Sequence, residues 1–384
     1  MKNSKPSWHE PLIFSVCFVA FFSLFAVPMG MINMLNTMMN TAFDLLLNTC
    51  FYLMAICVLA GALSALLTEF GVVGVVNKLL SPLLKPLYDL PGAASLGLVT
   101  TFLSDNPAIL TLANDYGFRK YFKKYQLPAL TNLGTAFGMG LIVCTYMISL
   151  QSMTGVSHVK PVLVGILGAV IGSIVSVRIM LHFTKKLYGT TEPAYKSILD
   201  DEILQAAAPE KKESAASRLL NAMLDGGKSG VDMGIAIIPG VLIICTFVMM
   251  LTNGPSASGE YTGAAYEGIH LLPALAEKCQ FVLQPLFGFS SAEAISVPVT
   301  ALGAAGAALG LVGKLVGQGL IDGGDIAVFT AMCMCWSGYL STHVSMMNSL
   351  KSNELIGRAI LSHTIGGLCA GMAANWIFTL LSLI

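Results

Sequence analysis

Charge is what this sequence has least of. Asp, Glu, Lys and Arg make up only 11% of its 384 residues, against about 25% in soluble domains. Too few ions remain to coat a water-facing surface, which excludes an ordinary soluble globule. The net charge is zero, so no overall field draws the chain to nucleic acid. Nine cysteines are present, but most lie inside apolar runs, which excludes a disulfide framework and leaves buried thiols acting as small hydrophobes. Enzyme signatures are missing too. Gly313-Lys314 has the look of a P-loop end, but Ala308 stands where its first glycine belongs and Leu315 replaces Ser or Thr. His9-Glu10 has no second histidine to complete a zinc motif. No nucleophile–base pair is visible, and no soluble stretch is long enough to hydrolyse ATP. The chain reads as no enzyme.

What is there is apolar length. Hydrophobic residues make up 55%, with a mean hydropathy of +0.74. No charged residue occurs in 11–43, 45–68, 126–159, 233–259, 294–313, 326–350 or 359–384. A bilayer core of about 30 Å needs about 20 apolar residues as helix, so these runs predict an all-α polytopic membrane protein. Helices are expected at 12–35, 43–68, 126–150, 161–183, 231–252, 326–350 and 359–383. The first apolar run is longer than a signal-peptide core and lacks a small-residue cleavage site, so it reads as a retained helix.

With the N-terminus placed in the cytoplasm, 18 of the 21 Lys and Arg fall on that side. This is the positive-inside bias of a protein of the cell (inner or plasma) membrane. It requires 69–125 and 269–325 each to enter and leave on one side, as re-entrant hairpins or an even number of crossings.

A shift of 199 residues aligns two halves without gaps over roughly 70–183 and 269–382. Pro86-Leu87 falls on Pro285-Leu286, Thr101 on Thr300, Thr131 on Thr330, and Gly168 and Gly172 on Gly367 and Gly371. Upstream, Asp44 pairs with Asp232 if the second half carries an insertion at 253–263. The alternation of crossings makes the repeats inverted, the arrangement in which secondary transporters place broken helices and a site at the midplane. The division expected is an N-terminal helix (1–38), a first repeat (39–183), a cytoplasmic linker (184–228) rich in Ala, Lys and Glu, and a second repeat (229–384).

The candidate site lies where apolar segments break. Ser104-Asp105-Asn106-Pro107 interrupts the first: proline lacks an N–H, and the residue before it is pushed from helical geometry. A carboxylate, an amide and freed backbone groups then meet inside the protein, where only protein, water or ligand can satisfy them. Ending a helix at the interface is the plainer role for the same residues. The mirror position carries Gly303-Ala-Ala-Gly306 after Thr300, offering close backbone approach without charge. Ser290-Ser291-Ala-Glu293 before it has capping-box spacing. Thr131 and Asn132 on the next helix, and His343 and Asn348 on its repeat partner, complete the polar set, with helix–helix hydrogen bonding as the plainer alternative. Cys333 and Cys335, two apart, point away from each other on a helix and make a poor metal pair with His343.

The stretches Pro-Leu-Tyr-Asp-Leu-Pro-Gly (86–92), Asp-Asn-Pro (105–107) and Gly-Val-Asp-Met-Gly-Ile-Ala-Ile-Ile-Pro-Gly (230–240) resemble the nucleoside-recognition, or gate-domain, membrane proteins. That superfamily includes concentrative nucleoside transporters, the gate of ferrous-iron permeases and spore-maturation proteins. The resemblance implies two inverted, hairpin-containing repeats, often assembled as homo-oligomers in the lipid bilayer. The GTPase domain of the iron permeases has no counterpart here, and the second half is poor in polar groups.

The expectation is a secondary transporter, facilitative or coupled to Na⁺ or H⁺, without other cofactor, that carries a small polar molecule such as a nucleoside or nucleobase. The alternatives are a non-transporting scaffold or partner subunit docking through the linker and, more weakly, a metal-ion permease.

Overall fold

The computed structural model describes residues 8–114, 116–194 and 214–383. The central part of the linker, 195–213, lies outside the described residues, as do 1–7. The chain is helical throughout the named elements, and six of its helices are long and apolar enough to cross a membrane.

Helix α1 (His9–Met29) ends at Gly30, whose φ of 78° no L side chain adopts readily. Helix α2 then runs unbroken over Met31–Glu69, through a π-helical segment at Leu45–Cys50. The sequence reading placed a helix at 12–35 and the next at 43–68. The structure moves that boundary to Gly30, because 36–42 contains neither Gly nor Pro to stop a helix. α1 packs on the chain through an aromatic cluster of Phe21, Phe22, Phe25 and Phe247. Its opposite face is exposed and apolar, from Leu12 to Val27.

The first repeat continues with α3 (Val72–Tyr88), then α4 (Ala94–Leu103) and α5 (Pro107–Asn114), the two arms of hairpin 1. Next come α6 (Gln126–Thr135), α7 (Gly140–Ser149) and the 30-residue α8 (Val159–Tyr188). The second repeat opens with α9 (Ala215–Thr252), which includes the last part of the expected linker and another π segment, Val241–Cys245, just after Pro239. It continues with α10 (Leu271–Lys278) and α11 (Gln280–Phe287), and with hairpin 2, formed by α12 (Ser296–Gly303) and α13 (Ala305–Gly317). It closes with α14 (Gly323–Cys335), α15 (Tyr339–Ser349) and α16 (Ile356–Ser382). The chain bends by 76° between Gln280–Phe287 and Ala292–Gly303, as a broken span or a re-entrant segment does.

The 199-residue register holds in three dimensions. Asp89 (φ 53°) and Gly288 (φ 65°) are left-handed helix ends 199 apart, and so are Met139 (φ 54°) and Gly338 (φ 55°) within the α6–α7 and α14–α15 breaks. The protein is thus an all-α polytopic fold of two inverted repeats with broken-helix hairpins. The carbonyls of Pro86 and Leu87, left open at the end of α3, accept from the Arg178 guanidinium at 2.6 and 2.8 Å. Those of Pro285 and Leu286 accept from Trp376 Nε1 and Asn375 Nδ2 at 2.9 and 3.2 Å. Different side chains meet the same backbone demand.

Small residues let the long helices touch. A Cβ on Gly172 would collide with the Gly366 carbonyl and one on Gly366 with Ser176, which fixes α8 against α16. Gly61 and Gly226 oppose each other in the same way between α2 and α9. One local expectation is corrected. The Ser290–Glu293 spacing does not form a capping box: the turn that follows, Ala292–Ile295, is 3₁₀, and its N-cap falls one residue later, at Ser291, which makes no side-chain capping bond. The capping box of the second repeat lies instead at Asp322 and Asp325, ahead of α14.

Candidate functional site

Four interruptions of helix decide where polar atoms can gather: the tips of the two hairpins and the α6–α7 and α14–α15 breaks. Hairpin 1 breaks at the expected place, with α4 ending at Leu103 and α5 starting at Pro107. Ser104 is exposed and turns its hydroxyl back to the Thr100 carbonyl at 2.6 Å. Asn106 is 2% exposed, and its Nδ2 donates to the Ser337 carbonyl in the α14–α15 break. A carbonyl only accepts, so this contact fixes which end of the amide faces it and leaves Oδ1 pointing elsewhere. A Cβ on Gly138 would strike that Oδ1, and one on Gly338 would press on Nδ2. The amide therefore sits between the breaks of both repeats, and glycines on each side make room for it.

Several buried atoms around these interruptions have no hydrogen-bond partner among the described residues. They are Asp105 Oδ1, Asn106 Oδ1, Thr131 Oγ1, Asn132 Oδ1, Thr300 Oγ1, Trp336 Nε1 and His343 Nε2. An unmade bond at a buried polar group costs about 1–3 kcal/mol, so such a concentration asks for water or ligand.

Asn132 is only half used. Its Nδ2 reaches Ser176 Oγ at 2.9 Å, Ser362 Oγ at 3.1 Å and the Ala359 carbonyl at 3.2 Å. Ser176 stands 3.0 Å from His363 Nδ1, and His363 Nε2 stands 2.6 Å from the Cys335 carbonyl. Since that carbonyl accepts, Nε2 carries the ring proton and Ser176 donates to Nδ1. The line Asn132–Ser176–His363–Cys335 thus ties α6, α8 and α16 to the second break. His343 packs against His363 with ring centroids 4.8 Å apart and the rings tilted by 47°, and its Nδ1 donates to the Tyr339 carbonyl at 2.6 Å.

The structure therefore brings Asn106, Thr131, Asn132 and His343 into the buried interior, with Asp105 half-buried beside Asn106 and its Oδ1 covered. Thr300, at the end of hairpin 2, is buried as well. Gly303 and Gly306 pack against Ile244 and Ile237 of α9, which is close approach without polar chemistry. Asn348 is exposed near the end of α15 and stands apart. The side chain of Pro107 lies outside the described residues. Cys333 and Cys335 are buried, and no group of three or more metal-binding side chains occurs among the described residues.

Sequence reasoning missed Ser337, Ser176 and His363. The α14–α15 break was legible in part: Gly138-Met-Gly140 and Ser337-Gly338 sit 199 apart in otherwise apolar helices.

Residues 50–170 match the family described as gate, nucleoside recognition. No curated protein sequence matches the chain. A solved structure of a CNTnw variant in an intermediate state is similar over 85% of this chain and 76% of its own, with a TM-score of 0.51 and 16% identity. CNTnw in an inward-facing, substrate-bound state gives 0.46 and 16% over 87% and 76%. A CNTnw variant in an outward-facing state gives 0.48 and 14% over 85% and 75%. The motifs at 86–92 and 105–107 lie within the matched segment, and that at 230–240 lies outside it. Six helices long and apolar enough to cross a bilayer make the chain a multi-pass membrane protein; its residues 50–170 match the nucleoside-recognition gate family, and its fold is similar to that of the CNTnw variant.

Proposed function

We propose that the protein is a secondary transporter whose substrate passes the Asp105–Asn106 break, and that the substrate is a small uncharged polar molecule of the nucleoside or nucleobase class. The observation that carries this reading is the Asn106 amide, held between the breaks of both repeats with its Oδ1 unpaired. A group tied to both halves of an inverted repeat feels any movement of one half against the other.

The unpaired atoms narrow the chemistry. Asp105 Oδ1, Asn106 Oδ1, Asn132 Oδ1 and His343 Nε2 act as acceptors, given the contacts that fix their neighbours; Trp336 Nε1 donates, and the Thr131 and Thr300 hydroxyls can do either. No Lys or Arg occurs in 126–159 or 326–350. A ligand rich in N–H and O–H donors fits that inventory, as nucleosides and bases are, whereas an organic anion would meet a carboxylate with no cation beside it. Asp105 is the residue for ion coupling: its carboxylate ends in an unpaired buried oxygen, which a Na⁺ ion or a proton would satisfy. The excess of Lys and Arg in the connections supports a cytoplasmic N-terminus.

The test is uptake into proteoliposomes of tritiated nucleosides and bases, beside an organic acid, with imposed Na⁺ or pH gradients. Saturable uptake of one nucleoside or base that Asp105→Asn uncouples from the ion gradient supports the reading. Normal, gradient-driven uptake in both Asp105→Asn and Asn106→Ala would show that the site lies elsewhere.

A further inference from the structure

A second cavity lies apart from the central breaks. It measures about 370 Å³ and opens between the π segment of α2, the end of α7 and hairpin 2. Its size falls within the ~300–1,000 Å³ of small-molecule sites. Two aromatic residues form one corner: Tyr52 and Tyr146 meet edge to face, with ring centroids 6.1 Å apart. The Tyr52 hydroxyl donates to Ser149 Oγ at 3.2 Å, and Tyr52 remains 46% exposed, so its ring is open to a visitor. Asn48, which also lines the cavity, gives its Nδ2 to Asp44 at 2.7 Å and keeps its side-chain oxygen as an acceptor. Ser152 adds a hydroxyl at the rim. The opposite wall is bare backbone of α13: a Cβ on Gly313 would collide with the Tyr146 hydroxyl, and one on Gly310 would press on Thr49.

Lys314 also lines the cavity, but its charge is already spoken for. Its ammonium lies 2.7 Å from Asp44 and 4.3 Å from the centre of the Tyr266 ring, and the Tyr266 hydroxyl holds the same carboxylate. The hydroxyl protons of Tyr52, Ser149 and Ser152 are already given to Ser149 Oγ, the Tyr146 carbonyl and the Ser149 carbonyl. The cavity therefore presents an open aromatic ring and hydrogen-bond acceptors, with no uncompensated charge. An ionic ligand would have to break the Asp44–Lys314 pair, whereas a neutral planar ring would not.

We propose that this cavity is a second ligand site, and that it takes an uncharged planar heterocycle of nucleobase or nucleoside size stacked on Tyr52. The choice of nucleosides as probes rests on the transport reading above; the cavity and its aromatic corner do not. Because α13 is an arm of hairpin 2, a molecule lodged here touches an element of the broken-helix machinery without entering the central breaks.

The experiment is equilibrium binding of tritiated adenosine and uridine to the full-length detergent-purified protein, in the Asn106→Ala background that removes the central amide. Saturable binding of at least one of them is expected there. Stacking on an aromatic ring contributes enough that Tyr52→Ala should weaken it about ten-fold or more. Ser152→Trp, a change at an exposed rim position, should fill the cavity and weaken binding similarly without touching the core. Benzoate, planar but anionic, should not compete. The inference is overturned if the Asn106→Ala protein binds neither nucleoside, if Tyr52→Ala and Ser152→Trp bind as their parent does, or if benzoate competes as well as unlabelled adenosine. Failure of the transport reading shows separately, as uptake that Asn106→Ala leaves unchanged.

Discussion

The Asn106 amide donates to the Ser337 carbonyl across 231 positions of chain, joining the tip of hairpin 1 to the break in the opposite repeat. Neither partner has an equivalent in the other half, since the 199-residue shift places Ala305 opposite Asn106 and Gly138 opposite Ser337. The repeat supplies two similar scaffolds, and this one contact makes them unlike.

Replacing Asn106 separates its two duties. Asn106→Ala leaves the Ser337 carbonyl buried and unpaired, which costs about 1–3 kcal/mol. Asn106→Asp keeps the size but, once ionised, offers only acceptors to a carbonyl, so above neutral pH it should be worse. The expected order of thermal midpoints in detergent is wild type, then Asn106→Ala, then Asn106→Asp, and under the transport reading proposed above both variants also lose uptake. An Asp variant as stable as wild type would show that the contact contributes nothing to the fold.

The α8–α16 contact depends on the absence of side chains. Gly172→Leu must push its side chain into the Gly366 carbonyl and Ala370, both of which belong to a packed helix. Overpacking against backbone that cannot retreat should cost about 3 kcal/mol or more, seen as loss of the monodisperse peak on size-exclusion chromatography. Leu163→Ala, on the exposed face of the same helix, should run as wild type. If the two variants behave alike, the glycine contact is not what holds these helices together.

How much of this was legible beforehand follows from what each feature depends on. Spans depend on apolar length, so they could be read from charge-free runs. The hairpin 1 break depends on Asn106-Pro107, a local rule, and it stands where expected. The repeat showed as an ungapped shift, and Met139 and Gly338 now give it a backbone signature. What could not be read was partnership. Ser176 and His363 are separated by 187 positions and look like helix-surface filler until α8 and α16 are laid side by side. The expected capping box at Ser290–Glu293 failed because spacing alone does not decide whether the turn that follows is α or 3₁₀.

Asp89 makes one pH dependence testable, in the turn between α3 and α4. Burial raises its carboxyl, but hydrogen bonds from Lys185 at 2.7 Å and Lys85 at 2.5 Å outweigh this and hold it below the ordinary carboxylate range. A carboxyl depressed in the folded state stabilises fully above its unfolded value, about 3.9, and loses that contribution as pH falls through the folded value. Asp89→Asn keeps a residue that tolerates the left-handed backbone and removes only the charge. With partly exposed pairs worth about 0–1 kcal/mol each, the variant should be less stable by about 1 kcal/mol at neutral pH. The gap in thermal midpoint between the two proteins should close toward pH 3. A gap that stays constant would assign the loss to something other than the charge.

His363 carries the last prediction, because its two ring nitrogens link groups on two different helices. Its Nε2–H meets the Cys335 carbonyl, freed where α14 ends, and its Nδ1 takes the hydroxyl proton of Ser176, which in turn accepts from Asn132. His363→Leu fills similar space but strands the Cys335 carbonyl and the Ser176 hydroxyl, both buried, at about 1–3 kcal/mol apiece. His363→Gln retains one donor and one acceptor on a planar head, so it can satisfy both groups at some cost in geometry. The glutamine variant should therefore recover most of the stability that the leucine variant loses. Trp336 sits directly after Cys335 and stacks on Tyr339 with ring centroids 6.4 Å apart, which makes its fluorescence a local report on the break. His363→Leu should shift the emission of Trp336, measured with Trp8 and Trp376 replaced by Phe, while His363→Gln leaves it near wild type. If leucine and glutamine give the same midpoint and the same spectrum, His363 fills volume, and the line from Asn132 to the second break carries no energy.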